Sequence, residues 1–79
     1  MTSALKANKS IDCTGLFCPM PIVRTKQEMV GMKSGEVLEI VADDPGFAKD
    51  LPAWCGLTGE KFMEMKQEGQ FFTGYVEKK

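Results

Sequence analysis

Residues 15–24, Gly-Leu-Phe-Cys-Pro-Met-Pro-Ile-Val-Arg, place a thiol directly before a Pro-x-Pro, where an apolar periodicity of helical spacing begins. Proline is favoured at the first helical position because its missing N–H would have had no partner there. Pro19 is therefore expected at N1 and Cys18 at the N-cap. Proline also drives the residue before it into an extended conformation, which an N-cap needs. Pro21 at N3 removes a second donor. The amides then left free in the first turn are those of Met20 and Ile22, and with the helix dipole they favour a nearby negative charge. Met20 itself precedes a proline, so the first turn is expected to be distorted.

A thiolate would gain most from that position. A free cysteine titrates at about 8.5, and helix N-termini are among the settings that lower this to roughly 3.5–7.5. The chain contains no histidine. That removes the usual base of a Cys–His hydrolase and the commonest zinc ligand, so ionisation by a helix end is the route this sequence offers. The bland alternative is that Cys18 is only a small cap or core residue. Cysteine is not a preferred cap, where Ser, Thr, Asp and Asn lead, and this favours chemistry.

The elements that must hold this thiol are short. With 79 residues the chain is read as one domain, residues 1–79, its ordered part about 8–78. Such a domain buries only about 60–65% of the surface its unfolded chain exposes, so one layer must pack on another with little to spare. Hydrophobic residues make up 43% and charged residues 27%, which argues against disorder. No apolar run approaches the length of a membrane span, and the first ten residues lack an apolar leader core, so a cytoplasmic location is expected. Ten basic and eleven acidic residues give a net charge of −1 without a basic stripe. Direct nucleic-acid binding is therefore not expected. The three cysteines, at 13, 18 and 55, suit neither a disulfide framework nor a zinc-ligand spacing. No metal or cofactor is expected.

Residues 9–13 read as a strand with Ile11 and Cys13 on one face. Helical periodicity runs from Pro19 to Met32 through Ile22, Val23, Met29 and Val30, interrupted by Lys26, whose stem can lie along apolar surface. Lys33 to Glu36 close the helix, with Gly35 in a C′ or turn position. Residues 36–42 are apolar at nearly every position and read as a buried central strand. Asp43 or Asp44 caps a second helix with Pro45 near N1, and Phe47, Leu51, Trp54 and Cys55 form its apolar stripe. Pro52 should kink this helix or shorten its first part. Strands at 60–67 and 70–78 follow, joined by a turn at Glu68-Gly69. The order βαβαββ predicts an α/β (α+β) two-layer sandwich: a mixed four-stranded sheet with two helices on one face.

The stretch Asp-Cys-Thr-Gly-Leu-Phe-Cys-Pro-Met-Pro fits the pattern Asp-x-x-Gly-x-x-Cys-Pro-x-Pro, with Asp12, Gly15, Cys18, Pro19 and Pro21 at its fixed positions. In this it resembles the TusA-like (SirA-like) sulfur-carrier family. The likeness continues through residues 33–59 and spans 9 to 78. It implies a βαβαββ sandwich similar to the C-terminal domain of translation initiation factor three. It also implies that Cys18 accepts a sulfane sulfur, as a persulfide or thiosulfonate, from a donor of cysteine desulfurase or rhodanese type. The sulfur then passes to an acceptor protein of a sulfur relay. Family members serve tRNA thiolation, molybdenum-cofactor chemistry or sulfur oxidation. On this reading the chain is a sulfurtransferase-type carrier, not a stand-alone enzyme, and a monomer suits it.

Several residues are left with two roles each. Phe17, where many relatives carry a polar or basic residue, either forms an apolar rim with Met20 for partner docking or tucks under the helix as a staple. Arg24 and Lys26 either attract an acidic partner or anionic cargo or line a solvated face. Cys13 either lies buried in the sheet or resolves a Cys18 persulfide, and burial is favoured. Cys55, beside Trp54, is read as core. The competing function is a redox-sensitive interaction module with Cys18 as a thiol switch. A hydrolase or peroxidase lacks a base.

Overall fold

The computed structural model describes residues 7–17 and 19–79. Six elements run in the order β1 (Lys9–Asp12), α1 (Met20–Val30), β2 (Val37–Ala42), α2 (Pro45–Thr58), β3 (Lys61–Glu68) and β4 (Phe71–Glu77). The sheet order is β1-β2-β4-β3. β1 pairs parallel to β2, with Ile11 opposite Ile40, and the other pairs are antiparallel. A parallel neighbour requires a crossover, which α1 supplies. The expected mixed sheet and two-layer sandwich are therefore found.

Alternation along β2 divides the sheet into two faces. Leu38, Ile40 and Ala42 are fully buried beneath the helices. They pair with Val76, Gly74 and Phe72 of β4. On the helix-free face the Tyr75 hydroxyl donates to Glu39 Oε2 at 2.7 Å, and Ser10 Oγ donates to Glu39 Oε1 at 2.8 Å. Both oxygens of this carboxylate thus have partners on a face without helix cover. In β3 the register shifts between Phe62 and Glu64. This bulge lets Phe62 and Met65, three apart, both pack against the core.

α2 begins as expected. The Asp44 carboxylate accepts from the Gly46 amide, Pro45 follows at N1, and Gly59 closes the helix at φ +85°. Phe47, Leu51 and Cys55 are its buried stripe. The expectation that Pro52 shortens the helix is corrected, because the helix runs unbroken from Pro45 to Thr58. Its buried stripe holds it on the sheet on both sides of the proline. Gly74 sets how closely it approaches: a Cβ there would collide with Leu51 Cδ2 and crowd Met65 and Phe47.

α1 departs further from expectation. The N-cap position is Pro19 (φ −96°, ψ 14°), one residue later than predicted, with Met20 at N1 and Pro21 at N2. The Met20 amide donates back to the Phe17 carbonyl at 2.8 Å, closing a turn before the helical ladder starts at the Pro19 carbonyl. The buried face is Pro21, Thr25 and Met29, while Val30 is 76% exposed. Thr25 can face the core because its hydroxyl donates to the Pro21 carbonyl at 2.8 Å. Helix α1 ends at Val30, not Met32, as the Gly31 and Met32 amides tighten onto carbonyls three residues back. The hairpin turn is Gly69-Gln70, one residue later than expected. Gly69 takes φ +61° at the first central position, as a type II′ turn requires.

Candidate functional site

The β1–α1 loop, the β2–α2 junction and the β3–β4 hairpin share one end of the sheet, because β1 and β2 both terminate there and β4 starts there. The carboxyl end of parallel strands is where α/β sheets present their ligand sites. Cys18 belongs to this loop by sequence but lies outside the described residues, and the N-cap position expected for it is taken by Pro19. The residues around it can be placed one by one.

Cys13 continues the strand, its amide donating to the Val41 carbonyl at 2.6 Å. Its side chain is fully buried, as favoured above. Burial pushes the Cys13 thiol up, against an opposing pull from the Arg24 cation. Asp12 turns the chain: its Oδ1 accepts from the Thr14 hydroxyl at 2.7 Å and the Thr14 amide at 2.9 Å. Those bonds hold the exposed Asp12 carboxyl below its ordinary value. Gly15 follows at φ +83°, a conformation that suits glycine. Its amide donates to Asp43 Oδ1 of the β2–α2 junction at 3.0 Å. The Leu16 amide returns to the Cys13 carbonyl at 3.2 Å, and Leu16 packs on the core.

Phe17 then points away from the molecule, 77% exposed, and Met20 is 44% exposed. Of the two readings of Phe17, this exposure excludes the staple. The expected pair of free amides is corrected: the Met20 amide bonds the Phe17 carbonyl and the Ile22 amide bonds the Pro19 carbonyl at 3.1 Å. The crowding of two prolines into the first turn pulls it into these short-range bonds. What the helix end offers an anion is its dipole field, without those two donors.

The two cations do not converge. Arg24 is half-buried and acts on Cys13. Lys26 instead lines a groove of about 250 Å³ with Met29, Val30, Trp54, Thr58, Glu60 and Lys78. That groove reaches the opposite end of the sheet, where β4 finishes. Cys55 is buried within α2 and its thiol is pushed up to about 11, by burial first and Glu60 second. Among the described residues no three His, Cys, Asp or Glu side chains cluster to hold a metal ion. No helix among them is long and apolar enough to cross a membrane.

Sequence reading missed Thr14 and the separate job of Asp43. The Asp-x-Thr spacing is a turn signal in its own right. Two adjacent acids before Pro45 were one more than a single N-cap consumes.

Residues 9–78 match the family profile described as Sulfurtransferase TusA. YrkF of Bacillus subtilis (strain 168) is 45% identical over 74 residues, covering 94% of this chain, which spans 40% of that protein. The protein named Sulfur carrier protein TusA from Allochromatium vinosum is 42% identical over 71 residues, covering 90% of this chain and 93% of that one. A crystal structure of a SirA-like protein from Desulfitobacterium hafniense has the same fold, with a TM-score of 0.76 at 18% identity over 87% of this chain and 95% of that one. The sequence match over nearly all the ordered chain, joined to the βαβαββ sandwich and the loop it displays, makes this chain a member of the TusA sulfurtransferase family.

Proposed function

We propose that the chain is a sulfur carrier that holds a sulfane sulfur on Cys18 and relays it between two proteins. The Cys18 thiolate attacks the terminal sulfur of a donor persulfide. The donor's S–S bond breaks, its thiolate leaves, and Cys18 becomes the persulfide, with no net oxidation. An acceptor thiolate repeats the exchange on the Cys18 persulfide and releases the Cys18 thiolate. A donor of cysteine desulfurase or rhodanese type and an acceptor protein of a sulfur relay fit this chemistry. A thiosulfonate on Cys18 is the other form of cargo, and the donor distinguishes the two.

The observation that carries this reading is the exposure of Phe17 and Met20, either side of Cys18 and Pro19, in a chain of this family. Two apolar side chains held in water beside a nucleophile suit a surface that docks briefly against successive partners. Asp12, Gly15, Pro19 and Pro21 shape the loop and helix start, and Arg24, whose charge acts on Cys13 of this loop, is the cation suited to attract anionic cargo. A switch through an internal disulfide is less well supported. It needs Cys13 or Cys55 as a thiolate, and burial opposes ionisation of both. A monomer in a reducing, cytoplasmic compartment suits a shuttle with free thiols.

Intact-mass spectrometry without reductant tests the proposal. The protein is incubated with a cysteine desulfurase plus cysteine, and separately with tetrathionate. A sulfur or thiosulfate adduct is expected on wild type, Cys13→Ser and Cys55→Ser and absent from Cys18→Ser. No adduct on wild type with either donor, or one that survives Cys18→Ser, overturns it and puts the thiol switch first.

A further inference from the structure

We infer that Asp43 is a positioning residue for the Cys18 nucleophile, acting as a strap from the start of α2 to the loop that carries the thiol. The inference rests on the carrier reading for its consequence in sulfur transfer, but the strap itself rests on geometry.

Two consecutive carboxylates, Asp43 and Asp44, stand at the β2–α2 junction. Asp44 caps its own helix, accepting from the Gly46 amide at 3.2 Å. Asp43 instead reaches across to the β1–α1 loop and accepts from the Gly15 amide at 3.0 Å, twenty-eight residues away in sequence. Gly15 is the left-handed residue of that loop and lies three residues before Cys18.

The other bonds among the described residues of the loop are local. Thr14 is tied to Asp12, Leu16 to Cys13 and Met20 to Phe17, each spanning two or three residues. Local turns set the loop's shape, and Leu16 anchors its middle by packing on the core. The Asp43–Gly15 bond adds a polar tie from this loop to the start of α2. Phe17 and Met20 are exposed, so hydrophobic packing of those two side chains adds no such tie. A nucleophile aimed at a sulfur on another protein depends on orientation, and a small misplacement is costly.

The strap also predicts which property of Asp43 matters. The carboxylate acts here as a hydrogen-bond acceptor, and a negative charge does not itself help a thiol to ionise. Asn at the same position keeps the acceptor and discards the charge. Ala discards both. The difference between these two neutral variants therefore reads the strap alone.

The test follows the rate of Cys18 alkylation by iodoacetamide against pH in wild type, Asp43→Asn, Asp43→Ala and Val76→Ala, with Cys18→Ser as the blank. Sulfur loading from a cysteine desulfurase is measured on the same proteins. Asp43→Ala is expected to titrate about half a pH unit above Asp43→Asn, as the freed thiol leaves the field of the helix end. Its loading kcat/KM is expected to fall about fivefold below that of Asp43→Asn, the worth of one hydrogen bond. Val76→Ala, a core truncation near the other end of the sheet, is expected to lower Tm and leave the thiol profile in place.

Coincident profiles and rates for Asp43→Asn and Asp43→Ala overturn the strap, and so does an equal shift in Val76→Ala, which would mean general loosening. Hydrogen exchange at the Gly15 amide of the wild type decides the case even if Asp43→Ala does not fold. About tenfold protection or more is expected for this exposed loop amide, and exchange at the unstructured rate overturns the proposal. Absence of sulfur loading on wild type would sink the carrier reading alone, since alkylation and exchange still judge the strap.

Discussion

The two helices open with a proline in almost the same place and put it to different uses. α2 starts with a carboxylate at the N-cap and a proline at N1, so a protein anion sits at its positive end. α1 starts with a proline in the N-cap position, no side-chain cap and no acidic residue in its first turn. Each helix is also associated with a cysteine. Cys55 is buried inside α2 and is held protonated. Cys18 adjoins the uncapped start of α1 in sequence. A helix that supplies its own cap spends its dipole on stability, whereas one that does not leaves that field for a reactive group. α2 is the structural helix, closed onto the sheet through Gly74, and under the proposed function α1 is the one whose start serves chemistry.

This contrast can be broken at both helices. The largest effect is expected from Gly74→Ala, which drives a methyl group into Leu51 beneath α2. Overpacking of this kind costs about 1–3 kcal/mol, read by urea denaturation, with the alkylation profile of Cys18 unchanged. A shift of that profile would mean that α2's fit governs the thiol as well. Asp44→Ala removes the α2 cap and should cost about 1 kcal/mol in the same measurement. No loss there would mean that the two helix starts are energetically alike.

Pro19→Asp installs at α1 the anion that α2 already has. A charge at a helix end is worth about 0.3–1 kcal/mol, so alkylation of Cys18 should move up by about 0.2–0.7 pH unit. An unmoved profile would show that the field of the α1 end does not reach the thiol. The smallest effect concerns alkaline stability. The Cys55 thiol ionises near 9 when unfolded but at about 11 when folded. The folded state therefore binds the proton more tightly between those values. The stabilisation is whole below about 9 and is lost as pH rises to about 11. Relative to wild type, Cys55→Ala should show a shallower fall in Tm across that window. Equal slopes would mean that the thiol titrates normally in the folded protein.

Much of this protein is determined locally and can be read without coordinates. The buried strand at 37–42, the Asp44–Pro45 start and Gly59 stop of α2, and its Phe47, Leu51 and Cys55 stripe follow from side-chain period, capping chemistry and glycine's conformational freedom. So does the association of a cysteine with a helix start, because prolines act on the residues beside them. Tertiary structure decided what depends on distant partners. Thr25 is core, though polar, because a carbonyl one turn back satisfies its hydroxyl. Gly74 must be glycine because of Leu51, twenty-three residues away. α2 survives Pro52 because its apolar face is held by the sheet. The amides of Met20 and Ile22 are engaged because the chain folds back on Phe17 and Pro19. Asp43 serves a loop that adjacency of parallel strands brings beside it. Periodicity records what a residue prefers among its neighbours in sequence, and only packing decides which distant group takes each hydrogen bond and fills each volume.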